Sequence, residues 1–133
     1  MTLRLESVSV DSTDPSRIAS FWEAALGWDR DAAHRDDDEV VLVAPDAEGA
    51  PELLFLRVPE GKVVKNRWHL DLRPDDQAAE VARLETIGAR RVSVGHGPEV
   101  TWVVLADPDG NEFCVLREQP PAGDASPGDV TVP

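Results

Sequence analysis

The chain writes nearly the same pattern twice, and this duplication narrows its possible folds more than any other feature. Ser7 to Asp14, followed by a run ending in Leu26-Gly27, is answered by His69 to Asp76 and a run ending in Ile87-Gly88. The second copy starts 62 positions after the first, and its closing strand, Glu112 to Leu116, follows Glu52 to Leu56 by 60. A period of this length is too long for a solenoid repeat and suits a duplicated supersecondary module. With 133 residues in all, each copy alone stands near the lower limit for independent folding, so the two are expected to share a core. Corresponding strands of the two copies would then line a common cleft, and its chemistry can be judged position by position.

Each copy reads as strand, helix, then up to three strands. Residues 3–10 alternate, with Val8 and Val10 on one face and Ser7 and Ser9 on the other, as a half-buried strand does. Asp14 is placed to cap a helix that has Pro15 in its first turn, and Ile18, Phe21, Trp22, Ala25 and Leu26 follow at helical spacing before Gly27. The acidic, apolar-poor stretch 29–39 reads as a loop or hairpin tip, and strands are expected over 40–43 and 53–58, on either side of a turn-rich segment 45–51. In the second copy, 68–72 alternates, Asp75 or Asp76 caps a helix carrying Ala78, Val81, Ala82, Leu84 and Ile87, and Gly88 ends it. Strands are expected over 91–94, 101–105 and 112–117, the last entered through the turn Asp107-Pro-Asp-Gly-Asn111.

Charge and cysteine content exclude several functions. Twenty-six acidic against 13 basic residues give a net charge of −13, which repels phosphate backbones and anionic membranes, so neither is an expected partner. No apolar run approaches 18 residues, and no basic segment precedes an apolar one at the start, so neither a membrane span nor a signal peptide is expected. The single Cys114 excludes an internal disulfide and fits a reducing compartment; the cytoplasm is the expected location.

Taken in order, the paired βαβββ modules, the Asp14-Pro15 helix start with Phe21-Trp22 and Leu26-Gly27, the stretch from Asn66 to Asp71, and Asp107-Pro-Asp-Gly-Asn111 before the last strand resemble the glyoxalase/bleomycin-resistance family of the vicinal oxygen chelate superfamily. The resemblance covers roughly residues 3–117. It implies an α+β fold in which two paired βαβββ modules form a curved mixed sheet around a cleft, with helices on the outer face. The domain would span 1–118, with modules at about 3–58 and 67–117, and a Pro/Gly-rich tail over 119–133 that buries too little to order.

The resemblance also implies where a divalent ion is held in metal-dependent members: one ligand on the first strand and one on the last strand of each module. Those positions are Ser7, Leu54, His69 and Cys114 in this chain, and the repeat pairs them in the same way. Leucine cannot ligate and serine is a weak donor, so the quartet is degenerate as a metal site. No cofactor is therefore expected. A divalent ion would need an improvised set, drawing on Asp71 and Glu112, two residues from His69 and Cys114. The expected ligand-binding face comprises Ser7, Ser9, Leu54, Leu56, His69, Asp71, Cys114 and Leu116.

Two functions of different class fit these residues. One is a protein that binds or sequesters a small organic molecule without a full metal-ligand set, as bleomycin-resistance proteins are thought to do. The other is a lyase or isomerase using a reorganised metal site or acid–base chemistry by His69 with Asp71. Plainer roles stand beside these: His69 satisfied by Asp71 or a backbone carbonyl, Cys114 as inert core, Trp22 as core, and His34, His96 and the acidic run 36–39 as solvated loops. Trp28, Trp68 and Trp102 are candidates for a pocket or for the contact of a homodimer, which the resemblance makes the expected assembly.

Overall fold

A computed structural model describes residues 3–33, 36–93 and 99–119. The chain divides into two units, Met1–Lys62 and Val63–Pro133. His34, His96, Val94 and nearly all of the expected tail lie outside the described residues.

The first unit runs β1 (Ser7–Ser12), α1 (Pro15–Leu26), β2 (Asp29–Arg30), β3 (Glu39–Val43) and β4 (Glu52–Arg57). Its sheet has the order β1-β4-β3-β2, with β1 parallel to β4 and the other pairs antiparallel. The second unit repeats this as β5 (Asp71–Leu72), α2 (Gln77–Thr86), β6 (Arg90–Arg91), β7 (Val103–Ala106) and β8 (Glu112–Val115), in the order β5-β8-β7-β6. The duplication extends to the register of the ladders. Leu54 lies between Ser9 and Val41, and Cys114 lies between Asp71 and Val104. The fold is therefore α+β, with two βαβββ modules that each carry a four-stranded mixed sheet.

Local chemistry accounts for the helix ends. The Asp14 carboxylate accepts from the Arg17 N–H at 3.2 Å, and Pro15 needs no donor at the first helical position. Gly27 closes α1 at φ 70°, a conformation that would strain a side chain, and donates to the Glu23 carbonyl at 2.8 Å. The Asp76 carboxylate caps α2 through the Ala79 N–H at 3.0 Å. α1 packs on β1, β3 and β4, burying Ile18, Phe21 and Trp22 in a core with Leu42, Leu53 and Phe55. Each such side chain contributes about 1.5–3 kcal/mol of burial. Phe21 and Trp22 meet edge to face with centroids 5.1 Å apart, confirming the core role read for Trp22. In the second unit Val81 and Leu84 of α2 are buried, as are Leu105, Phe113 and Val115 of the sheet.

Three segments differ from the sequence reading. Asp29–Arg30, expected within a loop, adds an edge strand opposite Leu42 and Val43. Arg30 holds that edge to α1 by donating to Glu23, Ser16 and Ser20, a long-range network that periodicity does not reveal. The strand expected over 68–72 is regular only at Asp71–Leu72, and Trp68 stands 90% exposed. The strand expected over 91–94 is Arg90–Arg91 within the described residues.

The Asp107 turn has a specific structural role. Asp107 is 1% exposed and its carboxylate accepts from the N–H groups of Asp109 and Asn111 and from the Asn111 amide, at 3.0, 2.8 and 3.1 Å. A buried charge is tolerable when it accepts several hydrogen bonds in this way. Gly110, at φ 93°, completes the reversal by donating to the Asp107 carbonyl at 2.8 Å. The turn aims β8 back along β7.

Candidate functional site

The eight residues expected on the binding face divide between the units. Ser7, Ser9, Leu54 and Leu56 belong to the first and are exposed or half-buried on β1 and β4. Ser9 stands opposite Leu54 and Asp11 opposite Leu56, so this face presents hydroxyls and leucines beside one another. His69, Asp71, Cys114 and Leu116 belong to the second unit, where the chemistry concentrates.

Parallel pairing of β5 with β8 builds that concentration. The Cys114 N–H donates to the Leu70 carbonyl at 2.9 Å, and the Leu116 N–H donates to the Leu72 carbonyl at 2.8 Å. This register sets Asp71 directly opposite Cys114, and the irregular segment before β5 brings His69 to the same pair. One ligating atom from each of His69, Asp71 and Cys114 lies within 4.8 Å of the other two. Nδ1 of His69 is 2.9 Å from Oδ1 of Asp71, close enough for an ion pair if the ring is protonated. It is nevertheless shut off from solvent without an aligned hydrogen bond, because the carboxylate oxygen lies off the N–H direction. The expectation that Asp71 satisfies His69 therefore holds for distance and fails for direction.

Cys114 is fully buried, although it faces away from Phe113 and Val115, because β8 is an inner strand covered on both faces. Burial pushes its thiol up to about 12, and the negative charge of Asp71, to which the S–H donates, adds to the shift; Lys65 acts weakly in the opposite direction. Such a thiol is no nucleophile at neutral pH. The inert reading of Cys114 fits the protein in the absence of a cation.

Glu112, weighed as an improvised donor, is not part of this cluster. Its carboxylate accepts from the Asn66 N–H at 3.0 Å, and its carbonyl accepts from the Asn66 amide at 3.3 Å, so it fastens the segment before His69 to β8. That contact spans 46 residues, and nothing local in the sequence signals it. Gln77 was also missed. Its amide donates to the carbonyls of Thr101 and Val115, while its N–H donates to Glu118 at 2.6 Å, holding the Glu118 carboxyl below its ordinary range. The N-terminus of α2 is thereby filled by Asp76 and Glu118.

The acidic run in the first unit behaves largely as a structured loop. Asp38 pairs with Arg57 at 2.6 Å, and the Asp36 carboxylate accepts from the Asp38 N–H at 2.9 Å. Ser16, Arg30, Asp31, Asp36, Asp37 and Val40 border an open depression of about 520 Å³. Trp28 donates to Glu48 at 3.1 Å and is half-buried.

Paired βαβββ sheets with these site positions define the class, and a family model described as the glyoxalase-like domain matches residues 7–116. The chain belongs to the glyoxalase-like domain family. Among solved structures it resembles a glyoxalase/bleomycin resistance protein/dioxygenase family enzyme from Burkholderia phytofirmans, at 18% identity over 88% of this chain and 100% of that one, with a TM-score of 0.68. It also resembles the bleomycin-binding protein of bleomycin-producing Streptomyces verticillus, solved with copper(II)-bleomycin, at 20% identity over 90% and 100% of the two chains and a TM-score of 0.58. An antibiotic-binding protein from Streptomyces sp. CB03234 matches at 23% identity over 90% and 99%, with a TM-score of 0.62. No curated protein matches in sequence. At these identities the structural likenesses establish the fold.

The donors present do not fit the four-position metal set of the family. Leu54 offers no ligating atom, Ser7 is neutral, and of the four only His69 and Cys114 are ordinary transition-metal ligands.

Proposed function

We propose that this protein binds a small organic molecule without the family's four-donor set, with Ser7, Ser9, Leu54, Leu56, His69 and Asp71 as the candidate contacts; Cys114 and Leu116, also expected on a binding face, are buried. The observation that carries this reading is the chemical makeup of those positions. Five of the eight are serine or leucine, and the cysteine among them is a buried thiol held protonated. Such surfaces supply apolar contact and a few hydrogen bonds, which is what holding a molecule without changing it requires. The antibiotic-binding relatives in the fold support the same direction, and a net charge of −13 favours a cationic ligand. The 2.9 Å approach of His69 to Asp71 favours a second reading, acid–base catalysis of a lyase or isomerase type.

A thermal-shift screen in chelator against metal-free bleomycin and other cationic, aromatic and dicarbonyl compounds tests both. A cationic aromatic ligand at a hundredfold excess over its Kd adds about 2.7 kcal/mol, a rise of roughly 8–12 °C in Tm. The rise should shrink sharply in Leu54→Asp. Silence across the panel would count against sequestration, and turnover of a dicarbonyl that disappears in His69→Gln would establish the catalytic reading instead.

The assembly we infer is a homodimer. Val63, Val64 and Trp68 are 93%, 77% and 90% exposed within one short segment, and a second copy of the chain would cover them. Light scattering coupled to gel filtration should give twice the chain mass of 14.5 kDa. Trp68→Ser should move the equilibrium toward monomer, whereas a monomeric wild type at every concentration would rule the dimer out. No helix among the described residues is long and apolar enough to cross a membrane. The single cysteine supports placing the protein in the cytoplasm.

A further inference from the structure

The mismatch with the family's four metal positions leaves two of their donors, His69 and Cys114, and the fold sets a third, Asp71, beside them. His69, Asp71 and Cys114 come from a single module and offer one nitrogen, one oxygen and one sulfur within 4.8 Å of one another. We propose that these three residues form a thiophilic divalent-cation site, of the Zn²⁺ class, built inside the second module with Asp71 as a donor that the duplicated strand positions do not supply. This inference goes beyond the binding of an organic molecule and does not depend on it.

Three observations carry it. Nδ1 of His69 is buried 2.9 Å from Asp71 without an aligned hydrogen bond, so the ring turns a polar atom toward the cluster that no hydrogen bond occupies. The parallel ladder sets Asp71 opposite Cys114, with the Leu70 carbonyl bonded to the Cys114 N–H, and the segment that leads into β5 brings His69 within reach of both, so the backbone presets the Asp71–Cys114 spacing. The charges also match. An aspartate and a thiolate together neutralise a dication, which makes the ion tolerable beside a fully buried sulfur. Metal–donor bonds of about 2.0–2.3 Å put tetrahedral ligands roughly 3.3–3.8 Å apart, so rotamer adjustment of about 1 Å closes the site. Ion binding replaces the Cys114 S–H bond with a metal–sulfur bond and releases one proton to solvent. Three protein donors leave a fourth position for water or for an atom of a bound molecule.

The sulfur selects the ion. Mg²⁺ and Ca²⁺ take oxygen ligands and gain little from imidazole or thiolate, whereas Zn²⁺ and Co²⁺ accept all three donor types.

The test uses the full chain without a histidine tag, stripped with chelator and titrated with Co²⁺ in the absence of any organic ligand. One equivalent should produce a thiolate-to-cobalt charge-transfer band together with the visible bands of tetrahedral cobalt, and Zn²⁺ should abolish both with a 1:1 endpoint. Cys114→Ser should lose the charge-transfer band. His69→Gln and Asp71→Asn lie at less buried positions and keep the test informative if the cysteine variant fails to fold; each should weaken Zn²⁺ binding at least tenfold while melting in chelator like the parent. Mg²⁺ should compete only at millimolar levels or above. Absence of the charge-transfer band in folded protein would overturn the proposal, as would zinc binding unchanged in His69→Gln and Asp71→Asn, which would assign the ion to surface carboxylates. Because the ligand screen is run in chelator and this titration without ligand, failure of one leaves the other standing.

Discussion

In chelator-treated native protein, Cys114 should alkylate at least about 10³-fold more slowly than the same cysteine in unfolded chain at equal pH. Its thiol rises from an ordinary 9.0 to about 12, which removes about three powers of ten of thiolate, and full burial denies the reagent access as well. Rates measured with iodoacetamide in buffer and in denaturant give the ratio directly; near-equal rates would show that Cys114 is reachable and anionic. The same shift links stability to pH. Below about pH 9 both the folded and the unfolded thiol hold their proton, and this group takes nothing from stability. Between pH 9 and about 12 the unfolded chain releases a proton that the folded protein retains, so stability falls as pH rises, in total by on the order of 4 kcal/mol. That is a large share of the 5–15 kcal/mol typical of a domain. Cys114→Ser keeps a donor for Asp71 and does not titrate, so urea midpoints of parent minus variant should be flat from pH 6 to 8.5 and fall steadily above 9.

Asp107→Ala should destabilise the protein by about 3 kcal/mol. The substitution leaves the N–H groups of Asp109 and Asn111 and the Asn111 amide without their acceptor in a half-buried turn, and each such loss costs about 1 kcal/mol. For a chain of 133 residues this corresponds to roughly 10–15 °C in Tm. Asp107→Asn retains one acceptor oxygen and should recover about half of the loss. Calorimetry of the two variants distinguishes this from a simple turn preference, for which both substitutions would cost little.

The sequence exposed the scaffold because the scaffold rests on local rules repeated twice. Asp14 caps the first helix as its spacing said it would, Asp76 caps the second as one of the two aspartates the sequence offered, Gly27 closes the first helix in the left-handed region, and strand alternation put Leu53, Phe55, Phe113 and Val115 in the core. Segments held by distant partners were the ones misjudged. Asp29–Arg30 becomes a strand through pairing with β3 and the grip of Arg30 on α1, and residues 68–70 stay irregular beside a Glu112 already engaged by Asn66.

The candidate site divides along the same line. Period-two alternation led to the expectation of His69 and Asp71 on one face, although only Asp71–Leu72 forms a strand, and the repeat matched Cys114 to Leu54 and so left the family's metal quartet degenerate. Whether Cys114 meets Asp71 depends on the register of two strands more than 40 residues apart, and only the folded ladder fixes that. The direction of the His69 ring, the protonated thiol and the capture of Glu112 follow from that register together with burial. The sequence by itself determined which donors exist and which face a strand residue takes, because side-chain direction along a strand is a local property. The tertiary structure decided which of them meet and in what electrostatic setting, because pairing, packing and desolvation are properties of segments brought together from far apart in the chain.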